Sequence, residues 1–166
     1  MAEKIPTVDT KIILDSRDQA KKNVQALIQS ARQEIIFFGP MLDDIMFNND
    51  DCIQQLTQFL TQSQRTRARF LVHDTRKNSA RGHRLISLSQ RLSSKIHIHQ
   101  TGLNDKQQHH LFLLIDTKAY LYCPNNARYE GIVDFDAAAT VREKQKQFEE
   151  MWAQSIPDVN VRRLQL

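Results

Sequence analysis

The sequence predicts an α/β sandwich built on a mixed sheet, as a single domain over residues 10–166. Three observations carry this. Short apolar runs rich in β-branched and aromatic residues alternate with stretches of helical periodicity, in the order β-α-β-α-β-α-β-ββ-β-α. A length of 166 residues suits one domain with room for a real core. A composition of 40% hydrophobic and 25% charged residues is that of an ordinary globular chain, which excludes disorder over most of its length.

Residues 1–9 read as a loose arm. Lys11-Ile12-Ile13-Leu14-Asp15 is a short buried strand. Ser16 with Gln19 three residues on has the capping-box form, and Ala20, Val24, Leu27, Ile28 and Ala31 continue it as a helix to about Ala31. Glu34 to Phe38 is a second strand, stopped by Gly39-Pro40. The polar run Asn48-Asn49-Asp50 caps a second helix, whose buried stripe is Ile53, Leu56, Phe59 and Leu60. Arg69 to His73 is a third strand, and Leu85, Leu88 and Leu92 mark a third helix. Ile96 and Ile98 alternate with His97 and His99, so the fourth strand has an apolar face and an imidazole face. Leu111 to Ile115 and Ala119 to Tyr122 form a hairpin about Asp116-Thr117-Lys118. Gly131 to Phe135 is a further strand. Val141, Phe148, Met151 and Trp152 stud a long final helix that Pro157 ends, and Val159 to Leu166 is expected to be extended.

Several function classes are disfavoured at once. No apolar run approaches the ~18 residues that span a bilayer. The start of the chain lacks the apolar core of a signal peptide, so a soluble, cytoplasmic protein is expected. Four glycines provide neither a Rossmann fingerprint nor a P-loop, and no cofactor is expected. Cys52 and Cys123 fit no zinc spacing and read as free, half-buried thiols.

Charge is concentrated in one place. Between Arg65 and Lys95 stand nine Lys/Arg residues against Asp74 alone, a balance of +8 in a chain whose total is +4, which leaves −4 for the remainder. Such a segment points to a polyanionic partner more firmly than the overall balance does. Arg67, Arg69, Arg76, Lys77, Arg81 and Arg84 are its candidate binding residues. The competing reading is a solvated surface, since solubility itself requires charge.

One constellation carries chemistry. A strand and helix ending in Ala31-Arg32-Gln33-Glu34-Ile35-Ile36-Phe37 are followed by a helix leading into Arg67-Ala68-Arg69-Phe70-Leu71-Val72. Then comes His109-His110-Leu111-Phe112-Leu113-Leu114-Ile115-Asp116. Over residues 10–156 this order resembles a phospholipase D-like domain, whose motif is His, any residue, Lys, any four, Asp. His109 and Asp116 have that spacing, but Leu111 stands at the Lys position. Of the downstream Gly-Ser-any-Asn, the stretch Cys123-Pro124-Asn125-Asn126 keeps Asn126 alone. Glu130 ahead of Ile132-Val133 resembles the acidic residue before the family's next strand, and Phe148 to Ser155 resembles its closing helix.

A single copy of the motif makes the chain similar to short bacterial nucleases, in which two identical chains set their motifs face to face. The resemblance therefore implies a homodimer. It is also similar to a bacterial family with this degenerate domain, sometimes joined to an acetyltransferase domain. In the superfamily one His attacks phosphorus, the facing His protonates the leaving oxygen, and the two Lys contact phosphate oxygens. Loss of one preorganised donor costs about 10²–10³ in rate, or ~3–4 kcal/mol, and a homodimer loses two. The resemblance so implies a non-catalytic binding or regulatory domain. It would take nucleic acid or another phosphate-bearing or anionic partner through residues 65–95. One alternative is a metal-independent phosphodiesterase or nuclease with His109 as nucleophile and Lys118 or Arg128 in place of the missing cation. Another is a protein-interaction partner of an acyltransferase.

Each residue also has a plain reading. His109 is a solvated strand histidine, a binding residue or a nucleophile. Asp116 is explained as a turn cap. Asn126 and Glu130 are turn residues or pocket groups. His97, His99 and His109 suggest a metal cluster, but no acid or cysteine lies at ligand spacing and no metal is expected. Tyr120 and Tyr122 share a face that could stack on a base or simply pack. Phe148 and Trp152 read as core.

Overall fold

A computed structural model describes residues 10–125 and 127–163; the expected arm, residues 1–9, lies outside them. Eight strands form one mixed sheet. They are β1 (Lys11–Leu14), β2 (Glu34–Gly39), β3 (Arg67–Val72), β4 (Ile96–Gln100), β5 (Leu111–Ile115), β6 (Ala119–Asn125), β7 (Glu130–Asp134) and β8 (Ile156–Pro157). Their order across the sheet is β1-β7-β6-β5-β2-β3-β4-β8. β2, β3 and β4 run parallel, and the other pairs are antiparallel.

The helices are α1 (Arg17–Ser30), α2 (Asp44–Phe47), α3 (Asp50–Thr61), α4 (Arg76–Ala80), α5 (Arg84–Arg91), α6 (Ala138–Ala153) and α7 (Val159–Arg163). The anticipated caps are in place. Ser16 Oγ accepts from the Gln19 amide at 3.2 Å, and Asn49 Oδ1 accepts from the Cys52 amide at 2.9 Å. α1, α3 and α5 cover one sheet face, where Ile35, Phe37, Phe70, Leu113 and Leu121 meet the buried stripes of those helices. Among the described residues α6 alone covers the other face, packing Val141, Phe148 and Met151 on Ile36, Phe38, Leu71, Phe112 and Leu114. Central strands buried on both faces explain why β2 and β5 are continuous apolar runs.

The C-terminal expectation is corrected. Residues 159–163 are helical, not extended. Asp158 is buried and its Oδ1 accepts from the amides of Asn160 (2.9 Å) and Val161 (3.1 Å) and from Thr75 Oγ1 (2.7 Å). That long-range cap overrides the β-leaning sequence. Only Ile156–Pro157 is extended, as a two-residue edge beside β4. At the opposite edge β1 pairs with β7, and Ile13 is 77% exposed.

Candidate functional site

β5 runs against β2, so its start lies at the edge where the parallel strands β2, β3 and β4 end. This puts His109 and His110 at that edge. The strand's alternation then separates them. His109 shares its parity with Leu111, Leu113 and Ile115, which face α1 and α3, and it is exposed. His110 shares its parity with Phe112 and Leu114, is half-buried, and rests against Phe38 with ring centres 5.2 Å apart.

The motif floor is closed. Leu111 is 1% exposed and lies in register with Cys123, which is fully buried. Burial, then the charge of Asp43, pushes the Cys123 thiol up to about 12. Asp43 caps α2, accepting from the Met46 amide at 2.9 Å. The Tyr129 hydroxyl donates to both its oxygens, at 3.2 and 3.0 Å. Burial raises the Asp43 carboxyl above its usual range, and burial with Asp43 beside it raises the Tyr129 phenol. Tyr129 holds φ at 54°, a left-handed conformation that the hairpin must sustain. Next to this pair, buried His83 Nε2 stands 3.6 Å from Asp44 Oδ1, and Arg81 reaches Asp44 at 3.2 Å. Burial keeps His83 below the ordinary histidine value, and its Nδ1 accepts from the Leu85 amide at 3.1 Å. The floor is thus apolar, and the polar groups beside it include two aspartates. A phosphate there would meet oil and like charge.

Asp116 occupies the far end of β5, with φ at 54°. Its carboxylate accepts from the amides of Arg32 (3.0 Å), Gln33 (2.7 Å) and Glu34 (2.9 Å), tying the β5–β6 turn to the start of β2. Lys118 lies in the same turn, at the end of β5 away from His109. Arg128 is exposed in the β6–β7 turn, at the same edge as His109, and Glu130 opens β7 there, also exposed. Asn126 lies outside the described residues.

The basic segment does not form one patch. Arg67 and Arg69 point to the α6 side and share Glu34. Arg69, 4% exposed, also bonds Glu149 on α6, and its guanidinium lies over Phe148 and Trp152 at 5.0 and 5.3 Å. Arg84 pairs with Asp50 at 3.3 Å, and the Lys95 ammonium donates to the Thr66 hydroxyl at 3.0 Å. Arg76 is exposed but pairs with Asp74 at 2.9 Å; Lys77 beside it is exposed. A cationic rim does gather at the sheet edge. Lys106 donates to the His73 carbonyl at 3.3 Å, and the charges of Lys106 and His109 add to burial in lowering the His73 ring below its ordinary value. His73 Nε2 donates to the Gln108 carbonyl at 2.7 Å, and its Nδ1 accepts from Thr101 Oγ1 at 2.8 Å. His99 stacks on Trp152 at 3.8 Å and bonds Ser155 at 2.8 Å. Among the described residues no three His, Cys, Asp or Glu side chains are placed to hold a metal. Nothing linked Asp43 to Tyr129 in the sequence, since 86 positions separate them.

A mixed sheet between helices, with His109 and His110 just ahead of β5 at the edge where β2, β3 and β4 end, gives the chain a phospholipase D-like fold. Solved structures agree. Nuc of Salmonella typhimurium, a phospholipase D family member, is 15% identical with a TM-score of 0.66, over 89% of this chain and 97% of that one. NucT of Helicobacter pylori is 14% identical with a TM-score of 0.58, over 89% and 97%. TrmBL2, an archaeal chromatin protein with a novel mode of DNA binding, is 14% identical with a TM-score of 0.64; the match covers 95% of this chain and 57% of that chain. No curated protein sequence matches. The chain belongs to the family described as a domain of unknown function (DUF7931), which it matches over residues 16–164.

Proposed function

We propose that this is a non-catalytic phospholipase D-like domain, paired as a homodimer, that binds a phosphate-bearing partner along the edge where β2, β3 and β4 end. Nucleic acid is the partner class this reading favours. The observation that carries it is the closed motif floor: Leu111 buried against Cys123, with the Asp43–Tyr129 pair beside it. The cation that phosphoryl transfer needs is replaced by an apolar side chain, and the neighbouring carboxylates oppose charge development in the transition state. Cations persist at the rim: Lys106 and exposed His109 both lie close to His73, and Lys77 and Arg128 are exposed, as is Arg76 beside Asp74. The shared fold of a DNA-binding chromatin protein supports the choice of partner.

A filter-binding titration tests the reading. With about three phosphates contacted, affinity for DNA falls roughly 40-fold between about 50 and about 200 mM salt. Replacing Lys77 and Lys106 by Gln flattens that slope by about two contacts. Failure to bind DNA or RNA even at low salt refutes the reading. The exposed imidazole of His109 favours one rival, a dimeric metal-independent phosphodiesterase. Turnover of a chromogenic phosphodiester that His109→Ala abolishes would establish that rival.

A further inference from the structure

Residues 101–110 divide two kinds of surface. Lys106 and His109 stand outward on the cationic rim. The other side of the segment faces α6 across a groove of about 660 Å³, within the ~300–1,000 Å³ range of small-ligand pockets. Asn104, Asp105, Gln108 and His110 line one wall, and Gln147 and Glu150 line the other. Met151 and Gln154 complete the lining. The His110 ring is seated against Phe38 and Tyr122, with centres at 5.2 and 5.8 Å.

This lining suits hydrogen-bond readout better than bulk charge. Carboxamides pair with base edges, carboxylates accept from exocyclic amino groups, and unpaired bases stack on imidazole rings. Asp105 and Glu150 are the carboxylates of the lining, and Lys144 stands beside it with its Nζ 3.8 Å from the centre of the Tyr122 ring that flanks His110. Sequence continuity joins groove and rim. Asp105 precedes Lys106, and His109 sits between Gln108 and His110. A base held in the groove therefore brings its phosphate to the rim. In a duplex the base edge is engaged with the opposite strand, so an unpaired base suits this lining better.

We infer that the groove takes an unpaired nucleobase bearing an exocyclic amino group while Lys106 and His109 hold the adjoining phosphate. This rests on the phosphate-bearing partner proposed above and narrows it to single-stranded nucleic acid.

Fluorescence anisotropy on the full chain, at one fixed low salt concentration, provides the test. The probes are labelled oligo-dC, oligo-dT and a duplex of equal length. Oligo-dC is expected to bind about tenfold tighter than oligo-dT, whose base lacks the amino group, and the duplex no tighter than oligo-dT. Changing Gln147→Ala and Glu150→Ala together, both on the exposed surface of α6, brings the dC-to-dT ratio to about one. Equal affinity for all three probes, or a ratio that the double variant leaves unchanged, overturns the groove inference while the anionic-partner reading stands. No binding of any probe overturns both.

Discussion

Replacing Asp116 separates a structural carboxylate from a chemical one. Its two oxygens accept three backbone amides, from Arg32, Gln33 and Glu34, at 2.7–3.0 Å. Bonds to a charged acceptor are worth ~1.5–3 kcal/mol each. Two of the three amides are solvent-accessible, so water replaces part of that, and about 2–3 kcal/mol remains. Alanine adds roughly 1 kcal/mol because φ at position 116 is 54°, a left-handed conformation that Asp tolerates through its short polar side chain and Ala does not. Asp116→Ala should therefore lose about 3–4 kcal/mol, or roughly 6–16 °C in Tm for a domain of this size. Asp116→Gly avoids the φ penalty and should lose about 1 kcal/mol less. Asp116→Asn tolerates the conformation, keeps one acceptor oxygen, and should lose about 1 kcal/mol. Urea titrations followed by Trp152 fluorescence measure all three. Asp116 stands roughly 20 Å along the strand from His109, so oligonucleotide affinity of the folded variants is expected to match the parent. An Asp116→Ala variant as stable as the parent, or a folded Asp116→Asn variant that no longer binds, would refute this reasoning.

Three further outcomes are expected. Leu111→Lys regains the motif on paper, yet buries an ammonium in a floor only 1% exposed; it should lose at least about 3 kcal/mol and gain no phosphodiester turnover, and turnover above a Leu111→Met control would contradict the closed-floor account. Arg69→Met should leave the salt dependence of binding untouched, since Arg69 is already held by Glu34 and Glu149. Its stability loss should be about 1–3 kcal/mol, below the usual cost of breaking a buried pair, because Glu149 is 47% exposed and Glu34 keeps Arg67; a flattened salt slope would place Arg69 in the interface. Acid should destabilise the protein before its carboxylates titrate. Burial holds His73, His83, His99 and His110 below the ordinary value of 6.5, His99 down to about 4, so the unfolded chain takes up protons first. The stability present above pH 6.5 is lost as pH falls towards 4, with raised Asp43 opposing the trend only near its own range. Urea midpoints that stay level from about pH 7 to about pH 4.5 would sink this account.

Much of the architecture was legible because local and tertiary signals agree. The strands centred on Ile36, Phe70 and Leu113 announce themselves as apolar runs, and Ser16 and Asn49 cap where their spacing says they should. Elements set by distant partners were not legible. α7 depends on Asp158 and Thr75, 83 positions apart, and α2 depends on the capping carboxylate of Asp43, itself fixed by Tyr129. The site divides likewise. The position of His109 at a strand start followed from pattern. The dispersal of the basic segment did not, because a run of like charges reports nothing about the acids that folding places beside it. Glu34, Asp44, Asp50 and Glu149 come from elements elsewhere in the chain.

The two margins of the sheet differ. On one side the last strand has two residues, one of them a proline with no amide to offer. On the other, β1 is four residues long and carries Ile13 outward. Among the described residues the β1 margin is therefore the longer backbone edge, and the β8 margin is the one blunted by shortness and proline.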